Sequence, residues 1–149
     1  MVDSQMKKSL LLVYTIAALA FLSSGLLGQV AVIANPDVPV DTISKEVLLD
    51  YYAGDINTWG NDQPIIVFDL KPRSDVKKSF YEGLGKTTGR MKSIWMRRKL
   101  SGEGEPPEAL PDEETVLKRV AETSGAIGFL HQAMVNDTVK VLLTFKIDD

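Results

Sequence analysis

Apolar positions along this chain fall into short β-branched runs separated by stretches whose apolar residues recur every three or four positions, the signature of strands alternating with helices. Val30 to Ala34 is a wholly apolar run ending at Asn35-Pro36, which predicts a strand buried on both faces, as in a parallel sheet. Ser44 has the chemistry of a helix N-cap, and Ile43, Val47, Leu48 and Tyr52 follow at helical spacing until Gly54 stops the run. A turn region from Asp55 to Asp62, with Trp59 ahead of Gly60-Asn61, leads through Pro64 into a second strand, Ile65 to Phe68.

Ser74 and Asp75 open the next helix, whose apolar residues Val76, Phe80 and Leu84 stand four apart before Gly85 ends it. Thr88 to Leu100 predicts another, with Met91, Ile94 and Trp95 inward and Lys92, Arg97, Arg98 and Lys99 outward. Gly102 to Pro111 reads as a loop. Asp112 caps a further helix with Val116, Leu117 and Val120 on its inner face, Ser124-Gly125 stops it, and Ala126 to Leu130 and Val139 to Phe145 are the last two strands. The βαβα order predicts an α/β fold with mostly parallel strands and helices on the sheet faces.

The amino terminus has a different character. Lys7 and Lys8 precede an apolar stretch from Leu10 to Leu22, and Ser23, Ser24, Gly25 and Gly28 follow. A basic region, an apolar region and then small residues predict a secretory signal peptide over residues 1–28, with the rival reading an uncleaved anchor, since about 20 residues cross a bilayer as a helix. In both readings residues 29–149 form one domain outside the cytoplasm, in the periplasm, touching the membrane only through the leader.

The 149 residues are 44% hydrophobic and 25% charged, an ordinary globular balance. Without the leader's Lys7, Lys8 and Asp3, the 17 basic and 20 acidic residues become 15 and 19, a net charge of −4. An acidic domain lacks the basic footprint that nucleic acid requires. The absence of cysteine removes thiol nucleophiles, zinc fingers, iron–sulfur clusters and lipid-modified cysteine. Motifs for a serine nucleophile elbow, a zinc protease, a Walker loop or a dinucleotide fold are missing, so neither an enzyme nor a cofactor is expected.

Individual polar residues have structural readings. His131, the lone histidine, stands at a strand end; Asp112, Glu113 and Glu114 suit the positive end of a helix; Lys86, Arg90, Lys92, Arg97, Arg98 and Lys99 suit the polar face of a helix, balanced by Glu103, Glu105 and Glu108. Trp59, Ile56, Phe80, Trp95 and Phe129 are expected in the core rather than at a contact. The segment Lys71-Pro72-Arg73-Ser74-Asp75 stands apart, because it joins a strand's carboxyl end to a helix amino terminus. Free N–H groups, the positive helix end, the Ser74 hydroxyl and the cations Lys71 and Arg73 can together hold an oxyanion, in the crevice where α/β sheets bind ligands. Asp75 opposes this by occupying the helix end, and Ser74 acting only as a cap is the competing reading.

Taken together, Val32-Ile-Ala-Asn-Pro36, Ile43-Ser-Lys-Glu-Val-Leu48, Tyr52-Ala-Gly-Asp-Ile-Asn-Thr-Trp59, Pro64-Ile-Ile-Val67 and Gly125-Ala-Ile-Gly-Phe129 resemble the second lobe of the phosphate-type periplasmic solute-binding proteins of ABC transporters. The resemblance runs from about Val30 to Val141. It implies a three-layer sandwich, a mostly parallel sheet flanked by helices, like one lobe of a type 2 periplasmic-binding protein. It also implies a small-oxyanion ligand such as phosphate, a transport-related role and no enzymatic activity. The family's anion loop has glycine and threonine around its serine; here only Ser74 matches, and Arg73 stands near but not at the arginine position. A single lobe leaves no sequence for the other half of a cleft, which brings in a homodimer or an envelope protein partner. The alternative function is a cell-envelope interaction module without a small-molecule ligand.

Overall fold

A computed structural model describes residues 28–146; the leader up to residue 27 and the tail from residue 147 lie outside the described residues. Five strands form one open sheet: β1 (Gln29–Ala34), β2 (Ile66–Leu70), β3 (Glu108–Leu110), β4 (Ala126–His131) and β5 (Lys140–Lys146), in the order β3-β2-β4-β1-β5. Four helices accompany them: α1 (Lys45–Ala53), α2 (Asp75–Gly83), α3 (Thr88–Ser101) and α4 (Glu113–Glu122). The α/β alternation is the one expected, and four of the five strands run in one direction.

β1 is the exception. It pairs antiparallel with both β4 and β5, while β2 pairs parallel with β3 and β4. The run Val30 to Ala34 is completely buried, as its composition requires. A continuous apolar run marks a strand covered on both faces but carries no information about direction, so the parallel neighbour expected for β1 is replaced by antiparallel ones. β3 also departs from expectation, lying within the segment read as a loop. Its three residues Glu-Ala-Leu have weak strand propensity and form an edge, ordered by hydrogen bonding to β2.

The sheet separates two apolar layers, and β4 shows how. Gly128 faces α4, where an added Cβ would lie 2.8 Å from Val116 and 3.0 Å from Val120, so glycine permits this close helix–sheet contact. Phe129, one residue on, faces α2 and stacks on Phe80. Alternation along a strand thus gives three layers, helix on sheet on helix. Tyr52 of α1 joins the second layer, its hydroxyl donating to the Phe68 carbonyl at 2.8 Å.

The helix ends follow local chemistry. Ser44, Ser74, Thr87 and Asp112 each accept a hydrogen bond from the N–H three residues on, and Gly54 and Gly102 end α1 and α3 in the left-handed conformation. Asn35, closing β1, donates its side-chain amide to the Val120 and Ala121 carbonyls at 3.1 and 3.0 Å, satisfying the carboxyl end of α4. Trp59, Phe80 and Phe129 are buried as expected. Ile56 is not: it is 37% exposed in the turn after α1, where no element covers it. Trp95 is half-buried, because α3 packs by one edge and leaves Met96 and Leu100 in solvent.

Candidate functional site

The carboxyl ends of β2 and β3 are neighbours in the sheet, Phe68, Asp69 and Leu70 pairing with Glu108, Ala109 and Leu110, and from β2 the chain crosses to α2 on one face while from β3 it crosses to α4 on the other. Open α/β sheets generally bind ligands outside the strand ends at such a point. The 71–74 loop stands there. The Lys71 N–H donates to the Leu110 carbonyl at 3.0 Å, fastening the loop to β3, and the Ser74 N–H donates to the Lys71 carbonyl at 3.1 Å, closing a turn. Lys71 and Arg73 are exposed, and neither forms an ion pair among the described residues.

Ser74 is the N-cap of α2, its Oγ accepting from the Lys77 N–H at 3.2 Å. Cap and ligand contact are compatible, since the cap uses an oxygen lone pair and leaves the hydroxyl hydrogen free. At the first turn of a helix the leading N–H groups have no intrahelical acceptor, so those of Asp75 and Val76 point outward at the positive end of α2. The exposed Asp75 carboxylate stands at the same end. Ser74, Arg73 and Lys71 thus follow the carboxyl end of β2 in one short loop, with the acidic Asp75 next to Ser74.

Several of the other residues weighed in sequence have structural partners. Glu113 accepts from the His131 backbone N–H and faces His131 Nδ1 at 2.9 Å, tying the end of β4 to α4. Asp112 accepts from the Thr115 N–H at 2.7 Å, and Thr115 holds its carboxyl below the usual range. Arg98 pairs with Asp55 and Glu103, and Lys99 with Glu105 at 3.3 Å; Glu108 turns away to Arg119 at 2.9 Å. Among the described residues no cluster of His, Asp and Glu has the arrangement of a metal site.

One polar group escaped the sequence reading. Asp69 is the single buried charged residue among those described, 8% exposed near the end of β2. Its Oδ2 accepts from the Tyr81 hydroxyl at 2.8 Å and meets Lys77 Nζ at 3.3 Å. Burial, and then the Asp69 charge, pushes the Tyr81 hydroxyl far above its ordinary range, so it remains a donor at all working pH values. The signal was present as an acid interrupting Val67-Phe68-Asp69-Leu70, with Lys and Tyr four apart on the following helix.

No family model matches the chain. Among curated proteins it is 31% identical over 120 residues to the phosphate-binding protein PstS of Bacillus subtilis, an alignment covering 73% of this chain and 35% of that one. Among solved structures it superposes on an ABC-type phosphate transport receptor from Vibrio cholerae, with a TM-score of 0.61 and 21% identity over 78% of this chain and 47% of that one. It likewise matches a phosphate ABC transporter substrate-binding protein with bound phosphate from Clostridium perfringens, with a TM-score of 0.64, 20% identity, and coverage of 78% and 45%. The chain spans about a third of the curated relative and under half of each solved one. In sequence and in fold it is similar to one lobe of the phosphate-type solute-binding proteins.

Proposed function

We propose that this chain is an exported solute-binding lobe that recognises a small oxyanion such as phosphate at the 71–74 loop, and that it binds rather than catalyses. One observation supports the reading: the Ser74 hydroxyl, the leading N–H groups of α2 and the exposed cations Lys71 and Arg73 all belong to the short segment between the carboxyl end of β2 and the first turn of α2. Each supplies a positive or donor group suited to an anion, and the backbone donors are fixed by α2 without further ordering. The relatives, all phosphate-binding or phosphate-transport proteins by name, support the same class of ligand.

Export rests on the basic and apolar leader at residues 1–28. One lobe buries only one side of a small ligand, whereas binding sites normally enclose most of the ligand's surface. A second lobe therefore completes the site.

Thermal unfolding of the protein with phosphate, sulfate and small carboxylates tests the reading. A ligand at a hundredfold excess over its dissociation constant stabilises by about 2.7 kcal/mol, and Ser74→Ala removes that response. No response to any anion, in the monomer or in a larger assembly, would reject the oxyanion reading and leave the interaction module.

A further inference from the structure

Between α2, α3 and the segment entering β3 lies a cleft of about 490 Å³, within the range of small-molecule sites, roughly 300–1,000 Å³. One wall is Met91, Trp95 and Met96 of α3, the other Pro106 and Pro107, and Asp69, Lys77 and Tyr81 close one side. Pro72 of the 71–74 loop borders it, whereas Ser74, Arg73 and Lys71 do not line it.

Its charges are unbalanced. Lys77, Lys92 and Lys99 line it against one carboxylate, Asp69, already engaged by Lys77 and by the Tyr81 hydroxyl. Lys92 forms no ion pair among the described residues, and Lys99 shares Glu105 at 3.3 Å. The aromatic wall is rigid: the Trp95 indole N–H donates to the Tyr52 carbonyl at 2.9 Å, and its ring covers Gly54 so closely that a Cβ there would lie 2.7 Å from it. A fixed apolar wall under a cationic rim loses little entropy on binding.

We propose that this cleft binds a small organic anion with an apolar body, an aryl or short alkyl carboxylate or phosphonate. The body lies against Trp95, Met91 and Met96, and the anionic group meets Lys92 and Lys99. A bare inorganic oxyanion would leave the apolar walls wet, and a neutral arene would leave the lysines unanswered.

Tryptophan fluorescence of the full chain tests this, because Trp95 lines the cleft whereas Trp59 is 2% exposed and bonded to the Gly125 carbonyl. Phenylphosphonate and octanoate are the probes, with inorganic phosphate and benzyl alcohol as controls. Phenylphosphonate or octanoate gives a saturable change with a dissociation constant on the order of 1 mM or tighter. Lys92→Glu, on the exposed rim, weakens it about tenfold or more, a loss of about 1.4 kcal/mol. Gly89→Phe abolishes it by filling the cleft, since Gly89 lines it and a Cβ there meets nothing within 4 Å. Ser74→Ala leaves it unchanged, which separates this proposal from phosphate binding at the 71–74 loop. No saturable response to either probe, parent-like affinity in both Lys92→Glu and Gly89→Phe, or loss in Ser74→Ala alone would overturn the proposal.

Discussion

The ring of Phe80 lies flat on that of Phe129, their centroids 3.9 Å apart and their planes 4° from parallel. This contact holds α2, and with it the 71–74 loop, against the centre of the sheet. Tyr52 meets Phe80 edge-on at 4.8 Å and Tyr81 at 6.2 Å, so three elements share one aromatic cluster. Phe80→Ala is expected to destabilise the protein by about 3–5 kcal/mol, the usual cost of emptying a buried phenyl site. Phe80→Leu, which keeps much of the volume, costs less; chemical denaturation of both variants checks the order.

The pair formed by buried Asp69 and half-buried Lys77 gives a second test. Removing one partner strands the other charge, so Lys77→Met or Asp69→Leu alone is expected to cost about 3–5 kcal/mol, while the double substitution recovers most of the loss. A double-mutant cycle measured by urea unfolding reads the coupling directly. Additive single effects would mean that the pair is solvated rather than desolvated.

Gly125 is constrained twice, by a φ of +72° and by the Pro64 carbonyl, into which a Cβ would run. Its own carbonyl accepts the Trp59 indole N–H at 3.0 Å, so distortion there loosens a buried tryptophan as well. Gly125→Ala is expected to lower stability by at least about 2 kcal/mol and to red-shift tryptophan emission. Gly85→Ala, also at positive φ but with no atom near its Cβ, is the milder control.

Asp37 joins the turn after β1 to the start of β4, accepting from the Ser124 hydroxyl, from the Gly125 N–H at 3.0 Å and from Gln63 at 3.3 Å. The Ser124 bond, then the Gly125 N–H, holds its carboxyl below the ordinary 3.8. A carboxyl lowered in the folded state stabilises above its unfolded value, and that contribution disappears as pH falls through the folded one. Stability measured from pH 6 downward is therefore expected to decline less steeply below pH 3.8 in Asp37→Asn than in the parent.

Ser74→Ala separates the cap from the ligand. Without any anion it costs on the order of 1 kcal/mol through loss of the bond to the Lys77 N–H. With saturating phosphate the gap between parent and variant widens by the whole ligand contribution. A gap that stays constant would confine Ser74 to its role as a cap.

Much of this was legible in the sequence because it rests on local chemistry. Ser44, Ser74 and Asp112 mark helix starts because a short side chain satisfies a free N–H three residues on, and Gly54 marks a helix end because it adopts a left-handed conformation at no steric cost. Val30 to Ala34 declared a fully buried strand for the same kind of reason. The loop holding Lys71, Arg73 and Ser74 was visible as a strand-to-helix junction.

Tertiary structure decided the rest. The direction of β1 depends on which strands flank it, and no apolar run encodes its neighbours. β3 exists because β2 offers it hydrogen bonds, not because Glu-Ala-Leu prefers to be extended. Asp69, Lys77 and Tyr81 are ordinary residues apart; burial at the end of β2 makes them one charge network and places them beside an apolar cleft. Local propensity is a property of neighbours in the chain, whereas desolvation and charge pairing arise only between residues that the fold brings together.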